Sequence, residues 1–380
     1  MSSDKGRQIY EDLGVRPLIN AGGHKTILGG SRVSPTVQAA VEAANDYYVE
    51  MKELLERTGE IIAGLLGAEA ALVTPGCAAA MALGAAACMS GSDPQKIEQL
   101  PDTTGMKNEF LIQACQRYKY DRALTIFGGK LVEVGEASGA TARQLEEAIS
   151  DKTAAIHYLG VGQRPGELPI ETVIRIAHAR GVPVIVDAAS EVYPLERLRR
   201  YNELGADLVC YGAKYFGAYN STGILSGRKD LLQAAFGHSF IGFETGAYRS
   251  VGRPLKLDRQ EIIAVVVALR EWLSLDHEDR LAEHERKGQV ISQALAGLPH
   301  LTAAWAPDPR SLSSGVRLTL DEAELGKTAA QVSQALREGT PSIWVDYRGN
   351  VLHVSVPQLA EGEEQIVAER LRAALLNPGR

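Results

Sequence analysis

Pro183-Val-Ile-Val-Asp187-Ala-Ala-Ser-Glu-Val-Tyr-Pro194 and, a little further on, Ala206-Asp-Leu-Val-Cys-Tyr-Gly-Ala-Lys214-Tyr-Phe-Gly217 are the stretches on which the fold turns. Val184 to Val186 and Asp207 to Cys210 are short apolar runs, the pattern of strands buried on both faces of a parallel sheet. Each is followed at its C-terminal edge by one reactive polar residue, Asp187 after the first and Lys214, in a Gly-bounded turn, after the second. Open α/β sheets bind ligands beyond the carboxyl ends of their strands. Taken singly, both residues have ordinary readings: an Asp at a strand end caps a helix or forms an ion pair, and a loop lysine is solvated. As an ordered pair behind two apolar strands they suit pyridoxal 5'-phosphate, which needs a lysine for its Schiff base and an acid against its ring nitrogen.

Upstream, Ala70-Ala-Leu-Val-Thr74 reads as a strand, and Pro75-Gly76-Cys77-Ala78 opens an Ala-rich helix reaching Met89. Strand, glycine turn and helix start offer free backbone N–H groups to a phosphate. The Gly-Lys-Ser/Thr of a nucleotide loop is missing, and a close-packed helix under a sheet would look the same. Before this lie a short helix around Gln8 to Leu13 and a Gly-rich stretch, Arg16 to Arg32, read as an extended segment crossing a cleft. Asn20 and Arg32, flanked by glycines, suit a ligand there. Ser34-Pro35 opens a helix continuing to about Tyr48, and another runs from Met51 to Leu66, ending at Gly67.

Ser90 to Met106 reads as irregular. Strands follow at Glu109 to Gln113, Lys130 to Val134 and Ala154 to Leu159, with Tyr118 to Asp121 as a further extended stretch. Helices are expected at Thr141 to Ile149 and Pro169 to Arg180, and a strand at Thr222 to Ser226. This alternation argues for a parallel sheet with helical crossovers. Asp258 to Ser292 is long, mostly helical and a candidate hinge. Strands near Val316 to Leu320, Ser342 to Asp346 and Val351 to Val356, with helices near Thr328 to Glu338 and Glu363 to Leu375, make a small α+β domain. The division expected is an N-terminal segment 1–32 near the cleft, a large α/β domain 33–270 and a small domain 271–380.

The 380 residues, 45% apolar and 23% charged, suffice for a large core plus a smaller one. A net charge of −7 and the lack of a basic block argue against a nucleic-acid surface. No apolar run is long enough to span a bilayer, and no signal peptide opens the chain, so a cytoplasmic protein is expected. Cys77, Cys88, Cys115 and Cys210 lack metal-type spacing, and no His pairing suggests a metal.

Several pieces resemble a known family: Asn20-Ala-Gly-Gly, Leu28-Gly-Gly-Ser-Arg, Gly67-Ala-Glu-Ala-Ala-Leu-Val-Thr, Leu100-Pro-Asp-Thr-Thr-Gly-Met-Lys-Asn-Glu, Val184-Ile-Val-Asp-Ala-Ala, Ser221-Thr-Gly-Ile-Leu-Ser-Gly-Arg-Lys-Asp-Leu and Gly252-Arg-Pro-Leu-Lys. Running in order over most of residues 16 to 260, they are similar to the pyridoxal-phosphate enzymes of the selenocysteine synthase and D-glucosaminate-6-phosphate ammonia-lyase family. The resemblance implies a fold type I architecture, with a large domain on a mostly parallel sheet and a small C-terminal α+β domain. It implies Lys214 as the lysine that carries the cofactor, Asp187 as the partner of the ring nitrogen, and Gly76, Cys77 and Ala78 as the phosphate cradle, with hydroxyl contacts from Ser221 and Thr222. Family members usually have Ser at the position of Tyr211 and a ring-stacking His near Gln116, so these two residues are expected at the cofactor with altered chemistry. The turn after Lys214 also departs from the family's usual Arg, Pro and Gln, which bears on substrate and reaction.

The implied activity is removal of an α-proton from an amino acid or amino-sugar acid, with loss of a β-hydroxyl and release of ammonia and a 2-keto acid. Racemisation and transamination start the same way, and these, like aldol cleavage, stay open. A tRNA-dependent selenium transfer fits the acidic charge poorly. A substrate carboxylate needs an Arg, and Arg32, Arg253, Arg317 and Arg348 are candidates. His157, at a strand end, either lines the pocket or is a satisfied core histidine. A homodimer or larger homo-oligomer is implied, with no nucleic-acid or membrane partner.

Overall fold

The computed structural model describes residues 2–162, 164–246 and 248–376. The strands in chain order are β1 (Leu18–Ala21), β2 (Ala70–Thr74), β3 (Glu109–Gln113), β4 (Lys130–Val134), β5 (Thr153–Leu159), β6 (Val184–Asp187), β7 (Leu208–Gly212), β8 (Gly223–Gly227), β9 (Leu301–Ala306), β10 (Gly315–Leu320), β11 (Ser342–Arg348) and β12 (Val351–Ser355). The chain forms two compact units, one of residues 32–273 and one joining residues 1–31 to residues 274–380.

The larger unit carries a seven-stranded sheet in the order β2-β8-β7-β6-β5-β3-β4. β8 runs antiparallel to both its neighbours, and the remaining pairs are parallel. Every strand except β8 therefore points its C-terminal end to the same edge, while β8 begins there. β5 to β8 are buried along their whole length, as continuous apolar strands covered on both faces must be. The helix Cys77–Ser90 packs on one face, against β5, β6, β7 and β8. Its Ala-rich interior is buried nearly all round, and small side chains let it approach the strands closely. At Gly84 an added Cβ would meet Leu208 at 3.2 Å and Leu225 at 3.5 Å. The helices Met51–Leu66, Ile170–Ala179 and Arg197–Glu203 contact β2, β5 to β7 or β8. Gly67 and Ser34 terminate and cap helices where their residue types demand it: Gly67 at φ 64 closes Met51–Leu66, and the Ser34 hydroxyl accepts from the Val37 N–H to open Pro35–Ala44.

Several local expectations change. The helix opened by Ser34 ends at Ala44, short of Tyr48, and Tyr118 to Asp121 is a turn leading into the short helix Asp121–Thr125, not an extended stretch. The stretch read as irregular contains the helix Pro94–Gln99, opened by Asp93, which accepts from the N–H groups of Gln95 and Lys96; Asp-Pro is a helix-start signal in its own right. The long helical stretch is two helices, Arg259–Ser274 and His277–Leu295, the second capped by the Asp276 side chain.

The smaller unit has a five-stranded sheet, β1-β11-β12-β10-β9. β1 lies parallel to β11, pairing Leu18–Ala21 with Ser342–Val345, so the N-terminal segment is an edge strand of this unit. The helices His277–Leu295, Ala329–Glu338 and Glu363–Leu376 pack with the sheet around a core of Ile19, Leu295, Val316, Val332, Ile343, Val354 and Leu371. Among the described residues no helix is long and apolar enough to cross a membrane.

Candidate active site

The shared edge of the larger sheet collects most of the chemistry. Register fixes the neighbours: Leu159 lies beside Asp187, Asp187 beside Cys210, and Gly223 between Gly212 and Thr74. The turn after β2, the end of β6, the turn after β7 and the start of β8 are thus adjacent along one edge. Gly76, Cys77, Asp187, Lys214, Ser221 and Thr222 all stand on it.

Gly76 has φ 87 and directly precedes the helix Cys77–Ser90, a conformation that suits glycine. The first N–H groups of that helix, Cys77 and Ala78 among them, have no intrahelical acceptor by helix geometry. Gly223 lies hard against this turn. A Cβ there would sit 2.5 Å from the Gly76 carbonyl carbon and 2.7 Å from both the Cys77 nitrogen and the Tyr211 oxygen. Only a glycine lets β8 start so close to the helix end.

Asp187 is buried. Its Oδ1 accepts from the Ala189 N–H at 3.0 Å and from the Cys77 thiol at 3.4 Å, and its Oδ2 accepts from the Tyr118 hydroxyl. Burial, and then the Asp187 charge, push the Cys77 thiol well up, so sulfur is present as a proton donor and not as a thiolate. Burial followed by the same carboxylate raises the Tyr118 phenol. The Tyr118 ring stacks near-parallel to His157, 4° between planes and 6.0 Å between centroids, and the phenol oxygen lies 3.3 Å from His157 Nε2. Tyr118 has one hydroxyl proton, and the carboxylate, which only accepts, takes it. The phenol oxygen then accepts from Nε2–H, which places the imidazole proton on Nε2. His157 is buried, with Nδ1 unpartnered among the described residues. Burial lowers its pKa to about 4, so the ring is neutral at physiological pH.

Lys214 sits in the one-turn helix Ala213–Phe216 after β7, with Nζ 5.2 Å from the centroid of the Tyr215 ring. Half-burial lowers its ammonium pKa, with Cys77 acting in the opposite direction. The Ala213 N–H donates to the Thr222 carbonyl at 2.9 Å, tying this turn to the start of β8. The Ser221 hydroxyl donates to Glu261 at 2.5 Å, and the Thr222 hydroxyl to the Tyr219 carbonyl at 2.8 Å.

Other sequence candidates lie elsewhere or are engaged. Tyr211 is wholly buried, and its hydroxyl donates to the Leu198 carbonyl at 2.9 Å. Strand alternation turns Tyr211 and Cys210 to opposite faces. Gln116 is also wholly buried; its amide donates to Glu167 at 3.0 Å and accepts from the Leu159 N–H at 3.2 Å. Arg32 is exposed, and Arg253 is ion-paired with Glu244. Asn20 and Arg317 belong to the smaller unit. Asn20 shapes the turn after β1, accepting from the Gly22 N–H and donating to the Gly23 carbonyl, both at 3.0 Å. Arg317 is exposed on β10, opposite His353 of β12.

Tyr118 is the residue that sequence reasoning missed. Its loop is set by Asp121, buried and accepting from the Tyr118 N–H at 3.1 Å and from Arg117 at 2.6 Å. Nothing in the local sequence links Tyr118 to Asp187, 69 positions away.

A largely parallel sheet with a lysine, an aspartate and a helix N-terminus at one edge is the fold type I arrangement of pyridoxal-phosphate enzymes. The chain belongs to the aminotransferase class-V family, whose model matches residues 34–340, and is a pyridoxal-phosphate-dependent enzyme. It is 33% identical to D-glucosaminate-6-phosphate ammonia lyase of Salmonella typhimurium, covering 96% of this chain and 97% of that one. It is equally, 33%, identical to 5'-C-glycyluridine monooxygenase-decarboxylase of a Streptomyces species, over 97% of this chain and 92% of the relative. L-seryl-tRNA(Sec) selenium transferase of Moorella thermoacetica is 26% identical over 96% of this chain and 84% of its own length. The solved structure of a D-glucosaminate-6-phosphate ammonia-lyase superposes with a TM-score of 0.83 at 31% identity, covering 97% of this chain and 98% of that one.

Proposed function

We propose that this enzyme is an ammonia-lyase for a small amino acid or amino-sugar acid carrying a β-hydroxyl. The observation that carries the reading is the Asp187 and Lys214 pair on one sheet edge, in a chain matched end to end by an ammonia-lyase. The residues present fit the cofactor: a buried carboxylate for a ring nitrogen, a half-buried amine, and a glycine turn whose helix amides are open to a phosphate. When bound, pyridoxal phosphate supplies an electron sink for the carbanion left at the α-carbon.

The chain's own residues do the rest. Lys214 would hold the cofactor through its amine and be freed when substrate binds. The freed amine, its pKa lowered by burial, is unprotonated more often than that of an exposed lysine and removes the α-proton. Asp187, aimed by the Ala189 N–H, keeps the ring nitrogen protonated. The amides of Cys77 and Ala78 would hold the phosphate, with Ser221 and Thr222 beside them; the Gly76 N–H, expected there too, is instead donated to the Thr74 carbonyl at 2.8 Å. Loss of the α-proton and the β-hydroxyl, which leaves as water, would give an enamine that tautomerises to an imine and is hydrolysed by water to a keto acid and ammonia. A cytoplasmic location and a homodimer or larger assembly belong to the same proposal, on the strength of the family resemblance alone.

The equal match to the Streptomyces relative favours a second reading, an oxidative decarboxylation at an amino-acid carbon. One experiment separates them. Purified protein with pyridoxal phosphate is given D-glucosaminate-6-phosphate, serine and threonine, and ammonia, keto acid, oxygen uptake and carbon dioxide are measured. Ammonia and keto acid without oxygen uptake are expected, and Lys214→Ala should abolish both. Oxygen uptake with carbon dioxide release would replace the lyase reading by the second one.

A further inference from the structure

Asp187 has its two oxygens held differently. Oδ1 is fixed by a backbone N–H and the Cys77 thiol. Oδ2 takes its hydrogen bond from a single side-chain group, the Tyr118 hydroxyl, which is itself polarised by His157 Nε2–H. Chained hydrogen bonds reinforce one another in a buried site. We propose that Tyr118, backed by His157, is a positioning residue that sets how strongly Asp187 holds the ring nitrogen of the cofactor. The hydroxyl shares Oδ2 and draws charge from it, so the carboxylate is a weaker acceptor for the ring N–H than it would be alone. His157, neutral and stacked on Tyr118, holds the phenol in place without adding a positive charge. The inference rests on the cofactor and not on which reaction follows.

The readout is a ratio of affinities. The dissociation constant is measured for pyridoxal phosphate and for its analogue with C–H in place of the ring nitrogen, by absorbance or fluorescence titration. In the native protein the ratio of the analogue's dissociation constant to that of pyridoxal phosphate reports the bond between Asp187 and the ring nitrogen, and Asp187→Ala should bring it close to one. Tyr118→Phe keeps the ring against His157 and removes the hydroxyl. It should raise the ratio by roughly three- to tenfold, the scale of one charge-assisted hydrogen bond relieved of a competitor. A purely structural role would weaken both ligands alike and leave the ratio unchanged; that result, or a fall in the ratio, overturns the proposal. If the Tyr118→Phe protein binds neither ligand, His157→Phe, which keeps the hydroxyl and removes its donor, is read in the same way. A smaller rise is then expected, and an unchanged ratio sinks the proposal. Failure of the native protein to bind either ligand would also overturn it, by removing the cofactor itself; loss of lyase activity alone would not.

Discussion

Gly223→Ala tests whether the start of β8 and the turn proposed to take the phosphate are as tightly joined as the geometry states. The added Cβ would meet Gly76, Cys77 and Tyr211 backbone atoms at 2.5 to 2.7 Å, about 0.7–0.9 Å inside ordinary contact at 3.4 Å. No side chain can rotate to relieve this, because all three atoms are main chain. Either β8 or the N-terminus of the helix Cys77–Ser90 must shift. Overpacking of this kind costs about 1–3 kcal/mol. For a unit of this size that lowers Tm by roughly 2–12 °C. The same shift moves the Cys77 and Ala78 amides, so affinity for pyridoxal phosphate should fall roughly tenfold, the scale of one charge-assisted hydrogen bond lost. Gly64→Ala is the control. Gly64 lies in the helix Met51–Leu66 with nothing within 4 Å of an added Cβ, and should gain about 0.5–1 kcal/mol. Thermal unfolding with and without cofactor, together with a cofactor titration, reads both effects. If Gly223→Ala melts and binds like the parent, the close approach does not constrain the turn and the reasoning fails.

Stability should also depend on pH through His157. Its pKa falls from 6.5 to about 4 on folding because burial disfavours the charged ring. Between those values the unfolded chain binds the proton and the folded chain does not, so this contribution is complete above about pH 6.5 and is lost as pH drops toward 4. At full extent it amounts to about 3 kcal/mol. Urea unfolding of His157→Phe across this range should show a shallower acid loss than the parent, and parallel curves would remove His157 from the account. Tyr211→Phe should cost about 1 kcal/mol by removing its hydrogen bond to the Leu198 carbonyl; a loss of cofactor affinity with stability intact would instead return Tyr211 to the cofactor, where the sequence reading put it.

The sequence by itself determined the elements that carry local signals. Apolar runs marked β5, β6 and β7, Ser34-Pro35 and Gly67 bounded helices, and Gly76 before an Ala-rich run announced an open helix N-terminus. Asp187 and Lys214 were legible because one ends a strand and the other stands two residues past the end of the next, and strand direction alone sends both to the carboxyl edge. The partners of those residues were decided only by the tertiary structure. Tyr118 reaches Asp187 because β3, β5 and β6 are neighbours in the sheet, and β1 pairs with β11 from the far end of the chain. Tyr211 is turned from the Cys210 face by strand alternation and bonded to Leu198, and Gln116 has its amide engaged by Leu159 and Glu167. Gly223 earns its identity from the backbone of Gly76 and Tyr211, not from its own strand. Propensity, periodicity and capping act over a few residues, whereas sheet order and hydrogen-bond pairing are settled by collective packing of segments far apart in the chain.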